Sequence, residues 1–185
     1  MEFKTCIFDV DGVLNYYPES YVDFINDELK TSYADLHEAK ENIPYKIYKQ
    51  LKLKYRVCGV KQQLPVRLDA VEILADLRKQ GFYIIILSSR PVHEINSLIM
   101  QTSRWLHSNN LFYDYLLFNK EKHLEVIKNF DNVTFIVEDN RAYANSIAKY
   151  GGYKVYLLNN QYNQGEVCPK VTRINRLREI EECYI

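Results

Sequence analysis

Short, nearly unbroken apolar runs recur along the chain at residues 3–10, 82–87, 115–118, 133–137 and 154–158. Runs of this length, bounded by glycine or by polar clusters, predict buried strands rather than helices. Between them the apolar positions fall into helical steps. Val71, Leu74 and Leu77 lead to Gly81, a favourable residue just past a helix end. Pro91 opens a second helical pattern carrying Ile95, Leu98, Ile99, Trp105 and Leu106. Leu124, Ile127 and Phe130 mark a third, and residues 142–150 a fourth, closed by Gly151 and Gly152. Val171, Ile174, Leu177 and Ile180 recur every three residues and predict a terminal helix over 169–182. Strands alternating with helices predict an α/β fold with a doubly wound parallel sheet.

The rhythm breaks once, over residues 16–64. Tyr21, Phe24, Ile25 and Leu29 share a helical face, and a second helical stretch runs from Pro44 through Ile47, Leu51 and Tyr55 to Gly59. This predicts a core of residues 1–15 and 65–185 with a small helical insert, 16–64, between its first and second strands. The insert is rich in tyrosine: Tyr16, Tyr17, Tyr21, Tyr33, Tyr45, Tyr48 and Tyr55. Most are expected to pack the insert's own core, with Tyr16 and Tyr17 best placed to meet a ligand.

Bulk properties narrow the options. Lys plus Arg and Asp plus Glu balance at 24 each, so no bulk basic field favours generic nucleic-acid or membrane binding. The cysteines Cys6, Cys58, Cys168 and Cys183 lack zinc spacing, and reduced thiols in a cytoplasmic protein are the simplest expectation. The first apolar run ends in Asp9, unlike a secretory h-region, and no apolar stretch approaches a membrane span.

Chemistry-bearing residues collect where the strands end, the side of an open α/β sheet that takes ligands. Asp9 and Asp11 leave the first strand one residue apart, just before Gly12. Two carboxylates that close repel each other unless a cation lies between them. Ser88 follows the second strand in the string Ser88-Ser89-Arg90-Pro91, where a hydroxyl and the amides of a helix start can hold a phosphate; a helix cap is the plainer alternative. Lys120 and Lys122 follow the third strand. Lys120 lies four residues before Leu124 and three and seven before His123 and Ile127, which puts it on the inward helical face, with Lys122 turned away. Glu138 and Asp139 end the fourth strand. Burying them beside Asp9 and Asp11 is costly without a hard dication, and Mg2+ suits a few carboxylates combined with phosphate and water.

These four stations, in order, resemble the motifs of the haloacid dehalogenase-like superfamily: an apolar strand followed by DxDG(V/T)(L/I), a strand ending in Ser or Thr, a lysine, and an acidic pair. Thr102, Trp105 and Leu106, then Tyr113 and Asp114, further resemble small phosphatases of the 5'-nucleotidase and polynucleotide 3'-phosphatase kind. The resemblance covers roughly the first 14 residues and 65–158. It implies a HAD-like Rossmannoid core with 16–64 as a helical cap, and phosphomonoester hydrolysis with Mg2+. Asp9 would be the nucleophile, Asp11 the general acid and base, and Ser88 and Lys120 the phosphate-holding groups. Metal ligands would be Asp9, the Asp11 carbonyl and Asp139, with Glu138 acting through water. Ser89, Arg90, Tyr17 and Arg56 are expected to contact substrate, a small phosphorylated molecule and most plausibly a nucleotide. A sugar phosphomutase, a nucleic-acid 3'-phosphatase and a non-catalytic phosphate-binding module are the alternatives.

Overall fold

The computed structural model describes residues 4–130 and 132–183. Strands and helices alternate as β1 (Lys4–Phe8), α1 (Glu19–Leu29), α2 (Leu36–Asn42), α3 (Tyr45–Val57), α4 (Leu68–Lys79), β2 (Phe82–Ser88), α5 (Ser97–Ser108), β3 (Tyr115–Phe118), α6 (Lys122–Asn129), β4 (Val133–Glu138), α7 (Arg141–Ser146), β5 (Val155–Leu158) and β6 (Val171–Ile174). The six strands form one sheet in the order β3-β2-β1-β4-β5-β6, parallel throughout. The order reverses direction at β1, so β1 and β4 flank the switch point where doubly wound sheets open a crevice.

The sheet buries both faces at its centre because β1, β2, β4 and β5 are apolar at odd and even positions alike. Cys6, Phe8, Ile84, Ile86, Phe135 and Val137 point to one side, where they pack with α1, α3, α4 and α5. Ile7, Ile85, Leu87, Ile136, Val155 and Leu157 point to the other, against Val126 of α6 and Ala144 of α7. Side chains alternate faces with period two, so each strand feeds both cores. Trp105 is fully buried in the first core and donates its indole N–H to the Leu64 carbonyl at 2.7 Å. Asp114 accepts the Ile84 N–H at 2.7 Å.

Residues 16–64 are helical as expected. Their ends are pinned together by an antiparallel bridge between Asn15 and Val66, and by the Arg67 N–H donating to the Leu14 carbonyl at 2.9 Å. Tyr21 anchors an aromatic cluster with Phe24, Tyr48 and Tyr55, its ring centroid 4.8 Å from that of Tyr55.

The terminal segment corrects the sequence expectation. Instead of one α-helix over 169–182, Val171–Ile174 is a sheet strand and Leu177–Cys183 a 3-10 helix. A strict three-residue apolar step fits a 3-10 turn better than the 3.6-residue α repeat. The segment after Pro91 also differs, making turns before α5 begins at Ser97. Among the described residues, no helix is long and apolar enough to cross a membrane.

Candidate active site

β1 ends at Phe8, and the chain turns over the sheet edge through Asp9, Val10, Asp11 and Gly12. Gly12 has φ +86°, and a Cβ there would lie 2.2 Å from Asp139 Oδ2 and 2.7 Å from the Tyr162 hydroxyl. The position therefore needs glycine twice, for its backbone and for the close approach of the β4 loop. The Gly12 N–H donates to Asn15 Oδ1 at 3.1 Å, and Asn15 Nδ2 donates to Asp11 Oδ1 at 3.0 Å.

Asp9 is buried, and Lys122 Nζ lies 2.6 Å from its Oδ1. The same ammonium lies 2.9 Å from Glu138 Oε2. The other Glu138 oxygen accepts the N–H groups of Asp139 and Asn140 at 3.2 and 3.1 Å. Asp9, Glu138 and Asp139 each bring a carboxylate oxygen within 4.8 Å of the others. Burial opposes charge on Lys122, but Asp9 and Glu138 outweigh it and hold the ammonium above its ordinary pKa. Burial, partly offset by Lys122 and reinforced by Glu138 and Asp11, pushes the Asp9 carboxyl up. Burial and the Asp9 charge push Asp139 up as well. Three buried carboxylates facing one ammonium form an oxygen donor set suited to a hard dication, which would relieve this repulsion.

Lys120 is the main correction. Its side chain is 62% exposed and pairs with Glu94 at the surface, while Lys122 is 1% exposed at the site. The helical argument fails because α6 starts at Lys122, so Lys120 lies in the preceding turn and off the helical repeat. Counted from the true start, Lys122 and the fully buried Val126 stand four residues apart on the inward face. Of the residues used in that argument, the side chains of His123 and Ile127 lie outside the described residues. Glu138 is held in place as well: Lys122 meets one of its oxygens and two backbone amides the other, so it orients the lysine and the β4 turn while staying within the carboxylate group that could hold a dication.

Asp11 stands outside that group of three carboxylates. Arg90 grips it bidentately, Nε to Oδ2 at 3.0 Å and Nη2 to Oδ1 at 2.6 Å, and Lys61 Nζ approaches Oδ2 at 3.0 Å. Burial opposes ionisation, but Arg90 and Lys61 overcome it and hold the Asp11 carboxyl well below the usual range. Arg90 is fixed from behind by Thr102, whose hydroxyl accepts Nη1–H at 2.7 Å. Thr102, one of the residues that carry the resemblance to small phosphatases, therefore orients the guanidinium.

Ser88 ends β2, buried, with its Oγ accepting the Arg90 N–H at 3.3 Å; Ser89 lines the cavity above. That cavity, of about 490 Å³, has Asp9, Asp11 and Asp139 on its floor, and Tyr17 and Arg56 also line it. Tyr16 does not; its ring is 39% exposed and covered by Arg67, 4.6 Å from the centroid. Two site residues escaped the sequence reading. Tyr162, in a short 3-10 turn after β5, donates its hydroxyl to Asp139 Oδ2. Asn15 steadies Asp11, and its signal was present as an Asn four residues after an Asp. Tyr162 has no local signal for its place at the site, since Asp139 lies 23 residues away and the Tyr17 carbonyl 145. Asn140 accepts the Ala142 and Tyr143 N–H groups and caps α7.

No protein-family model matches the chain. A stretch of 105 residues, 56% of this chain, is 31% identical to the Bacillus subtilis (strain 168) protein named "Putative nucleotidase YqfW". It covers 52% of that protein, so this chain matches about half the length of its curated relative. Among solved structures, SP0104 of Streptococcus pneumoniae, a haloacid dehalogenase-like family hydrolase, superposes with TM-score 0.65 at 10% identity over 99% of both chains. D,D-heptose 1,7-bisphosphate phosphatase of B. bronchiseptica, complexed with magnesium and phosphate, superposes with TM-score 0.60 at 12% identity over 98% of both chains.

Proposed function

Since this chain has the fold of the haloacid dehalogenase-like hydrolases, we propose that it is a Mg2+-dependent phosphomonoester hydrolase working through an aspartyl-phosphate, with nucleoside monophosphates as its substrate class. The observation that carries this reading is the Lys122 ammonium held between Asp9 and Glu138, with Asp139 beside them at the β1–β4 switch point. The relative named as a nucleotidase supports the nucleotide, and residues 16–64 would act as the cap over the site.

In this mechanism one Asp9 oxygen attacks phosphorus, forming the acyl-phosphate bond as the bond from phosphorus to the leaving oxygen breaks. Asp11 gives that oxygen a proton. Water then attacks the phosphorus, Asp11 takes a proton from it, and the Asp9 carboxylate is released with inorganic phosphate. The clamp of Arg90 and Lys61 favours ionised Asp11, the form that serves the second step. For the first step a bound phosphate must draw those two cations off Asp11, which lets it hold a proton. Lys122 and the Ser88 region balance charge on the phosphoryl oxygens. Asp9, Asp139 and the Asp11 carbonyl would hold Mg2+, which when bound supplies positive charge to the phosphoryl group.

The test is a phosphatase screen over para-nitrophenyl phosphate, nucleoside monophosphates and sugar phosphates, with Mg2+ and with EDTA. Hydrolysis that EDTA abolishes and Mg2+ restores, fastest on nucleotides, is expected. Full turnover in chelator removes the metal, and no preference for nucleotides removes that substrate class.

A further inference from the structure

The cavity is lined by more cations than its carboxylates pair with. Of the cations lining it, Arg90 and Lys61 are already matched by Asp11, and Lys122, buried behind Asp9, is matched by Asp9 and Glu138. The facing wall comes from α2 and α3 and presents Lys40, Lys52 and Arg56. Among the described residues none of these three has an ion-pair partner. Helix α3 bears Lys46, Lys49, Lys52, Lys54 and Arg56 without a single acidic residue. Lys54, by contrast, is matched by Glu28 of α1.

A charged helical face normally spreads into solvent, but here Lys52 and Arg56 are half-buried in a concavity. They stand four residues apart, one turn along the same face, where like charges repel. Burial, followed by repulsion from Arg56 and Lys40, holds the Lys52 ammonium below its ordinary pKa. Converging like charges in a concave site is unfavourable for the protein alone, and an anion between them reverses the sign.

We infer that Lys40, Lys52 and Arg56 form an anion subsite for a second phosphate, so that the preferred substrate is a small organic bisphosphate with its phosphates on separate positions. One phosphate meets Asp9 and Lys122; the other is held by the α2–α3 wall. Tyr17 and Tyr21 line the same cavity and offer aromatic surface to the body of the molecule. A volume of about 490 Å³ suits a small ligand rather than a polymer. The inference rests on the phosphatase reading and goes beyond its nucleoside monophosphate class.

The experiment compares two matched pairs, a nucleoside 5'-monophosphate with its 3',5'-bisphosphate, and a hexose 6-phosphate with its 1,6-bisphosphate. A single-stranded oligonucleotide with a terminal phosphate is the third arm. In at least one pair the bisphosphate is expected to show a kcat/KM about tenfold or more above the monophosphate, as charge-assisted contacts to a second phosphate allow. Lys52→Gln and Lys40→Gln should each shrink that ratio severalfold, whereas Lys46→Gln, which does not line the cavity, leaves it unchanged. Equal kcat/KM within both pairs overturns the subsite and leaves the phosphatase standing. Preference for the oligonucleotide overturns it in favour of a polymer site. Calorimetry on the same pairs separates the two readings: tighter bisphosphate binding without hydrolysis, lost in Lys52→Gln, keeps the subsite and removes the phosphatase.

Discussion

Replacing Lys122 by alanine is the most informative single change, because it strips an ammonium lying between two buried carboxylates, 2.6 Å from Asp9 and 2.9 Å from Glu138. Removing one partner of a buried ion pair costs about 3–5 kcal/mol, since the remaining charge is stranded away from water. Two carboxylates are stranded here, although each escapes part of the penalty by taking a proton. The loss is therefore expected near about 3–5 kcal/mol in urea denaturation with EDTA present, a large share of a typical domain's stability of about 5–15 kcal/mol. Added Mg2+ should recover part of it by standing in as counter-charge. Lys122→Met keeps the bulk of the side chain and separates lost charge from lost packing. On the activity side, one missing charge-stabilising group should lower kcat/KM by about 10²–10³. Lys120→Ala is the control: its side chain is exposed and paired with Glu94 at the surface, and both stability and kcat/KM should stay near wild type. A Lys122→Ala protein destabilised by less than about 1 kcal/mol would refute the stranded-charge argument. A Lys120→Ala protein with the larger loss of activity would refute the assignment of the lysine.

Three further outcomes follow from the geometry. Gly12→Ala should cost about 1–3 kcal/mol for placing a side chain at φ +86°, and should weaken Mg2+ activation by driving Asp139 aside, read from the urea midpoint and a metal titration; wild-type values in both would show that the turn relaxes freely. Asp9→Asn should fold normally yet lack turnover, while Asp11→Asn should accumulate phosphoenzyme visible by intact mass, and brisk multiple turnover by either variant contradicts the assigned roles. The Cys6 thiol, fully buried and pushed up by burial and then by Asp114, should stay unreactive to a thiol reagent until the protein is unfolded, whereas exposed Cys58 reacts first and Cys58→Ser removes that phase.

Local pattern alone determined most of the scaffold. Short apolar runs place the first five strands, since a strand buried on both faces must be apolar at every position, and Asp9, Ser88 and Glu138 fall at strand ends because polar groups can face a crevice only there. The helical character of residues 16–64 was legible from the spacing of Tyr21, Ile25, Leu51 and Tyr55. What tertiary structure decided were the pairings. Lys122 rather than Lys120 reaches Asp9 because α6 starts two residues later than the helical count assumed, and a helix start depends on how β3 delivers the chain. Asp11 is gripped by Arg90, 79 residues away, and by Lys61, 50 residues away, and Tyr162 meets Asp139 from a turn beyond β5. No periodicity encodes such contacts, because they arise only when the β1–β4 switch point gathers separate loops over one sheet edge. The strand β6 was likewise invisible as a strand, since its four residues gain their hydrogen bonds from β5 and carry no alternation long enough to announce them.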